Sequence, residues 1–382
     1  MRVVLFTHSL YSEWNHGSAH FLRGIASELM SRGVDVRVFE PVNASSFANM
    51  LADAGVDAID NFRRAYPGLT SIQYHPESLD LDEALGEASL VLVHERTDTA
   101  LVRRIGKHRK RGGSYQLLFH DTNHRALSDR ESMAAYDLRH FDGVLAVGKA
   151  IRDVYLAQGW ARRAWTWHEA ADTRIFCPAP STEKEGDLVW IGNWGDDERS
   201  DELKEFLIRP VRALGLRARV YGARYPERAL RSLEKAGIEY GGWLPNYEAP
   251  AVFGRYRVTV HVPRRPFAAA VPGVPAIHMF EALACGIPLI SAPWEDTEQM
   301  FRTGVDYLQA ADGRQMRDRL ERVLSDARLA EDTACHGLQT VTTRHTCRHR
   351  ANELLSIYES LEEERGSLLP VPDAGASPEA DD

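Results

Sequence analysis

Glu281 is the lone carboxylate in an otherwise apolar stretch, Ile277-His278-Met279-Phe280-Glu281-Ala282-Leu283-Ala284. Ile277, Phe280, Leu283 and Ala284 are spaced to fill one face of a helix. Gly286 falls where a left-handed residue would end that helix. Pro288-Leu289-Ile290 then begins an apolar run suited to a covered parallel strand. The loop Pro272-Gly273-Val274-Pro275 leads into the helix. A carboxylate that grips hydroxyls, beside a helix N-terminus that faces phosphate, is the chemistry such a segment offers. Ala276 and Ile277 can present amides to an anion, whereas Pro275 has none. Arg264 and Arg265 close a strand expected at 258–262, where either guanidinium can pair with phosphate oxygens in bidentate fashion. The plain alternative for both arginines is a surface ion pair.

Four further loops carry candidates. Asn15-His16-Gly17 follows the first strand, and glycine there lets backbone approach a ligand. His120 and Asp121 end another strand, with His124 and Arg125 just beyond; a histidine so placed can also simply cap a loop. Asn193 and Trp194 follow the strand 188–192, Asn193 to bond donor groups and Trp194 to wall a site. Arg224 follows the strand 217–221, where it or a neighbouring aromatic can stack on a ring. Ordinary loop packing is the competing account of each. No metal site is expected. Asp80-Leu81-Asp82 sits at a helix start, where acids cap. Cys335, His336, His345, Cys347 and His349 match no zinc spacing.

These residues need a frame that sets strand ends against one another. Apolar runs at 3–6, 34–39, 90–94, 115–119 and 143–147 alternate with helical patterns such as 20–31. A second series runs through 188–192, 217–221, 258–262 and 288–291. Alternation of this kind predicts parallel sheets covered on both faces, with ligands at the carboxyl ends of the strands. The expected division is a first Rossmann-like domain at 1–175, a Pro-rich and charged linker at 176–186, and a second such domain at 187–345. A helix at 346–365, crossing back, and a tail at 366–382 follow. Two closing helices are expected, at 314–329 and 350–361. The tail carries four acidic residues and three prolines without an aromatic, a composition of disorder.

The chain has 382 residues, 44% hydrophobic and 26% charged, with a net charge of −9. That is a soluble globular composition of two or three domains, without global attraction to nucleic acid. Four scattered cysteines point to a reducing, cytoplasmic setting. The short apolar start reads as a strand rather than a leader, and no run of 18 apolar residues is present. The basic run at 103–111 is the one stretch suited to the inner face of an anionic membrane, if it is not the solvated face of a helix.

The segment around Glu281 resembles the Glu-Ala-Leu-Ala-x-Gly-x-Pro-Leu-Ile stretch of retaining GT-B glycosyltransferases. Residues 16–38 resemble the glycine-loop, helix and strand opening of family-4-like members. The strand end at His120-Asp121 and the turn Gly241-Gly242-Trp243-Leu244-Pro245 are similar too. The overall likeness, over about residues 1–362, is to the CgeB-like group. It implies an α/β GT-B fold, with two Rossmann-like domains facing a cleft. It further implies transfer of a hexosyl group from a nucleotide-diphosphate sugar in the second domain to a glycan, lipid or protein acceptor in the first. Retention and metal independence follow, with no cofactor beyond the donor. In the resemblance Glu281 holds the ribose and His120 contacts the transferred sugar near the reacting carbon, with Asp121 the second catalytic candidate at the same strand end. One position departs: the first glutamate of the pattern, separated from Glu281 by seven residues, would fall at Gly273, which has no side chain. A non-catalytic sugar-nucleotide-binding protein and a GT-B-shaped epimerase are the rival expectations, the epimerase requiring paired carboxylates such as Glu95 and Asp121.

Overall fold

The computed structural model describes residues 1–14, 17–180, 183–195 and 199–367. Seven strands form the first sheet: β1 (Arg2–Phe6), β2 (Asp35–Pro41), β3 (Ser71–Tyr74), β4 (Leu90–His94), β5 (Gln116–Asp121), β6 (Gly143–Ala146) and β7 (Ala164–Thr166). Their order is β3-β2-β1-β4-β5-β6-β7, every pair parallel. The second sheet holds β8 (Gly186–Ile191), β9 (Ala218–Tyr221), β10 (Ile238–Tyr240), β11 (Tyr256–His261), β12 (Leu289–Ser291) and β13 (Leu308–Gln309). It runs β10-β9-β8-β11-β12-β13, again parallel.

The central strands are the apolar runs of the sequence, buried on both faces by helices. β4 reads Leu-Val-Leu-Val-His and β5 Gln-Leu-Leu-Phe-His-Asp, with every residue buried. The four strands without a sequence signal, β3, β7, β10 and β13, are the four sheet edges. Each is two to four residues long and partly exposed, so it lacks the continuous apolar run that betrays a covered strand.

The closing helices differ from the expected pair. One helix, Gly313–Ser325, stops where Asp326 turns extended, and its carboxylate accepts the Leu329 N–H at 3.0 Å to start the next, Ala327–Arg344. Aspartate competes for backbone donors and so favours a cap over a helix interior. The last helix, Cys347–Ser367, includes Gly366 and Ser367 of the expected tail; 368–382 lie outside the described residues. This helix returns to the first domain. Cys347, Ala351, Leu354 and Leu361 share a core with Phe21, Leu22 and Ile25 of the helix Ala19–Ser31.

A buried polar link also joins the domains. Arg23 donates to Leu10 O at 2.6 Å and to Asn246 Oδ1 at 2.8 Å, and pairs with Glu13 at 2.8 Å. Glu13 in turn accepts the Asn246 N–H at 3.0 Å.

The Asp-x-Asp at 80–82 is a helix cap. Asp80 accepts N–H groups from Asp82 at 2.9 Å and Glu83 at 3.2 Å, opening the helix Leu81–Leu85. Asp80→Ala is expected to cost about 1 kcal/mol of stability in urea unfolding, without effect on ligand binding. The basic run lies on the helix Thr99–Lys110 and its end, and part of its charge is tied back into the fold. Arg104 donates to Pro76 O and Leu79 O at 2.6 and 2.7 Å, and Arg109 to Gly113 O at 2.9 Å. Arg103, Lys107 and Lys110 are exposed. Among the described residues, no helix is long and apolar enough to cross a membrane.

Candidate functional site

The strand order of each sheet reverses once, between β1 and β4 and between β8 and β11. Loops part at such points and leave a crevice beyond the carboxyl ends of the strands. The two crevices face each other across a cavity of about 230 Å³. The first domain contributes Gly17 and Ser18 after β1, Glu95 and Arg96 after β4, and Thr122 and Asn123 after β5. The second contributes Asn193 after β8, Arg224 after β9 and Arg264 after β11, together with Arg199.

Among the described residues, four arginines therefore meet at this cavity, one from the first domain and three from the second. Arg96 has its pKa lowered: burial is the largest cause, Glu95 opposes it, and repulsion from Arg125, Arg264 and Arg224 adds to the lowering. Arg199 is buried, donates to Val262 O at 3.2 Å and lies 5.6 Å from the Trp190 ring centre. The helix Ile277–Ala284 aims its first turn at the same space. Its N-cap Ala276 has no side-chain oxygen to offer the free amides, and Ala276, Ile277 and His278 all line the cavity. Positive charge plus a helix N-terminus makes an anion site.

Glu281 lies one layer behind that helix end. It is 2% exposed and does not line the cavity. His278 Nδ1 bonds Oε2 at 2.6 Å. His20 Nδ1 sits 2.6 Å from Oε1, within ion-pair reach though off the line of a hydrogen bond. Burial alone would raise the carboxyl pKa; His278 and His20 outweigh it and hold it below the ordinary range. The helix stop is as read: Gly286 has φ +65° just past Cys285.

Neighbouring candidates separate in three dimensions. Arg264 reaches the cavity, whereas Arg265 turns outward to Glu202, with bonds of 2.8 and 3.1 Å. Asn193 lines the cavity while bridging the domains: Nδ2 donates to Trp14 O at 3.0 Å, and Oδ1 accepts the Ala223 N–H at 2.8 Å. Trp194 is not a wall of the site. It is a core residue, packed 5.5 Å from Tyr225 with its indole N–H on Ser200 Oγ at 2.8 Å. Gly17 lines the cavity; His16 lies outside the described residues.

His120 and Asp121 are beneath the cavity rather than on it. As consecutive strand residues they point to opposite faces of the first sheet. His120 is fully buried against Trp167 and Phe21, and burial lowers its pKa to about 3. Asp121 turns to the other layer, accepting the Tyr155 hydroxyl and the Asn123 N–H at 2.9 Å each. Burial, then Glu95, raises its pKa to about 7. The residues that reach the cavity here are the next two, Thr122 and Asn123. Glu95 does line it, ion-paired with Arg125. The pair that an epimerase would need is thus split, with one carboxylate charge-paired and the other sealed below.

Glu169 is the carboxylate that inspection of the sequence missed. It follows β7, is 7% exposed, and lines the cavity. Its one local signal is a single carboxylate in Trp167-His168-Glu169-Ala170-Ala171, which does not mark a cleft by itself.

Residues 199–356 match the model of a family described as glycosyl transferase-like. None of the curated proteins matches the chain. Solved structures do. A sucrose-phosphate synthase from Thermosynechococcus elongatus is similar with TM-score 0.62 and 13% identity, over 95% of this chain and 100% of that one. Anabaena Alr3699/HepE, in complex with UDP and glucose, is similar with TM-score 0.64 and 13% identity, over 96% and 100%. An alpha-glucosyltransferase bound to UDP-glucose and DNA is similar with TM-score 0.69 and 12% identity, over 94% and 99%. The fold is GT-B: two Rossmann-like domains with parallel sheets, facing each other across the cleft.

Proposed function

We propose that this chain is a glycosyltransferase that takes its sugar from a nucleotide-diphosphate donor. The observation that carries the reading is the meeting of Arg96, Arg199, Arg224 and Arg264 with the first turn of the helix Ile277–Ala284. A departing diphosphate needs fixed positive groups where its charge develops, in a space that excludes water. The glycosyl transferase-like match over 199–356 supports the same reading. The second domain holds the donor, and the first, through the loops after β4 and β5, holds the acceptor. The bound ligands named for the similar structures make a UDP-sugar the first donor to try.

The sugar is transferred with retention: the acceptor oxygen bonds to the anomeric carbon on the face from which the diphosphate leaves. The bond from that carbon to the diphosphate oxygen breaks, and the departing phosphate oxygen takes the acceptor's proton. No protein base is required by this path. Arginines and helix amides supply the charge that a divalent cation would otherwise provide, so the reaction is metal-independent.

A panel of UDP-, GDP-, ADP- and dTDP-sugars, read by thermal shift and by donor hydrolysis, tests the function. One nucleotide is expected to raise the melting temperature; saturation at about 100 times Kd adds roughly 2.7 kcal/mol. The same donor is expected to be turned over equally with and without EDTA. Binding without hydrolysis or transfer to any acceptor would instead favour a sugar-nucleotide-binding protein. No binding by folded protein would remove the reading.

A further inference from the structure

We propose that Glu169 binds a hydroxyl of the sugar carried by the donor and so helps to select that sugar. The inference rests on the glycosyltransferase reading and adds to it a residue for sugar recognition.

Among the described residues, the carboxylates on the cavity wall are Glu95 and Glu169. Glu95 is matched by Arg125. Glu169 keeps a buried oxygen, Oε1, without a hydrogen-bond partner. An unsatisfied polar atom that far from solvent is costly, and a ligand hydroxyl would relieve it. Ser18, which lines the same cavity, lies beside this carboxyl group and opposes the rise in its pKa.

The segment that carries Glu169 is pinned at both ends. Trp167 donates its N–H to Ala146 O at 2.7 Å and its indole N–H to Arg350 O at 2.9 Å. His168 bonds Val147 O at 2.8 Å through Nδ1 and approaches Glu298 of the second domain at 3.1 Å through Nε2. Ala171 donates to His345 O at 3.0 Å and accepts from the Cys347 N–H at 2.9 Å. A carboxyl group on so fixed a backbone is preorganised, as sugar discrimination requires.

Its position also suits the sugar. The arginines that would take the diphosphate come mostly from the second domain, whereas Glu169 faces the cavity from the first. On the second-domain side, Gly273 cannot supply a carboxylate. Its φ is +87°, and a Cβ there would stand 2.7 Å from Glu298 Cγ and 2.8 Å from Thr297 Oγ1. Burial foremost, with Glu281 adding to it against Ser18, His20 and His278, raises the Glu169 pKa to about 7. A carboxyl group poised near neutrality can both accept from and donate to a hydroxyl.

Isothermal titration of wild type, Glu169→Ala and Glu169→Gln separates the possibilities. The probes are UDP, GDP, ADP and dTDP, and the glucose or mannose conjugate of each. In Glu169→Ala, affinity for the sugar nucleotide that wild type prefers is expected to fall at least tenfold, and affinity for its free nucleoside diphosphate less than twofold. Glu169→Gln, which keeps the shape and an amide that can bond a hydroxyl, is expected to recover part of the loss. Thermal unfolding checks that both variants are folded. Equal losses for sugar nucleotide and diphosphate, or no loss for either, would overturn the role of Glu169 and leave the function standing. Failure of wild type to bind any nucleoside diphosphate would overturn both.

Discussion

Arg264→Ala is expected to lower kcat/KM for the nucleotide-sugar donor by about 100- to 1,000-fold, the usual cost of losing one charge-stabilising donor at a leaving group. Arg264 stands just beyond the carboxyl end of β11, beside the point where the strand order of the second sheet reverses, and lines the cavity with Arg96, Arg199 and Arg224. Binding of the free nucleoside diphosphate should weaken less than turnover, because the charge on the departing group grows as the bond breaks. Arg265→Ala is the matched control. Its guanidinium is partnered with Glu202 and turned away from the cavity, so activity should stay within twofold of wild type by the modest worth of surface pairs. Steady-state kinetics with a saturating acceptor measures both. Equal effects of the two substitutions would mean that the cavity is not where the diphosphate sits.

Glu281→Ala is expected to destabilise the protein by about 3–5 kcal/mol, since it breaks a buried charge arrangement by removing one member. Glu281 is fully enclosed between His20, from the helix Ala19–Ser31 of the first domain, and His278 of its own helix. Its loss takes from buried His20 its ion-pair partner, and neither ring nitrogen has a hydrogen bond to fall back on. The dependence on pH has a definite sign. The folded-state pKa of Glu281 is depressed below the ordinary 4.5, so its contribution is complete above that value and is lost as pH falls towards the folded pKa. Wild type should therefore lose stability on acidification below about pH 4.5 more steeply than Glu281→Gln, which cannot ionise. Urea unfolding at several pH values reads both effects. The helix that Glu281 anchors presents Ala276, Ile277 and His278 to the cavity, so donor affinity should fall as well. Unchanged stability with lost affinity would instead show that the carboxylate serves the ligand directly.

Much of the frame was legible in the sequence because burial leaves a local imprint. β1, β4, β5, β8 and β11 are apolar runs, and both of their faces are covered. The edge strands were not legible, since a strand paired on one side and half exposed needs no such run. The helix of Glu281 and its glycine stop were readable from spacing and conformational preference. Which side chains meet was not. Arg264 and Arg265 are adjacent, as are Asn193 and Trp194, yet in each pair one member faces the cavity and the other does not. His120 and Asp121 end a strand on the right side of the sheet, but alternation sends them into opposite layers, and the loop beyond them reaches the cleft.

The sequence by itself therefore determined two parallel-sheet units, the helix that carries Glu281 and the general location of a cleft at the strand ends. Those features follow from periodicity and chain stiffness within about a dozen residues. Only the tertiary structure decided that Arg96 joins Arg199, Arg224 and Arg264, that two histidines from different domains enclose Glu281, and that Glu169 looks into the cavity. Arg96 lies 103 to 168 residues from the other three arginines and His20 lies 261 residues from Glu281, so these meetings depend on distant segments coming together and on the direction of a side chain about a backbone whose local pattern is the same either way.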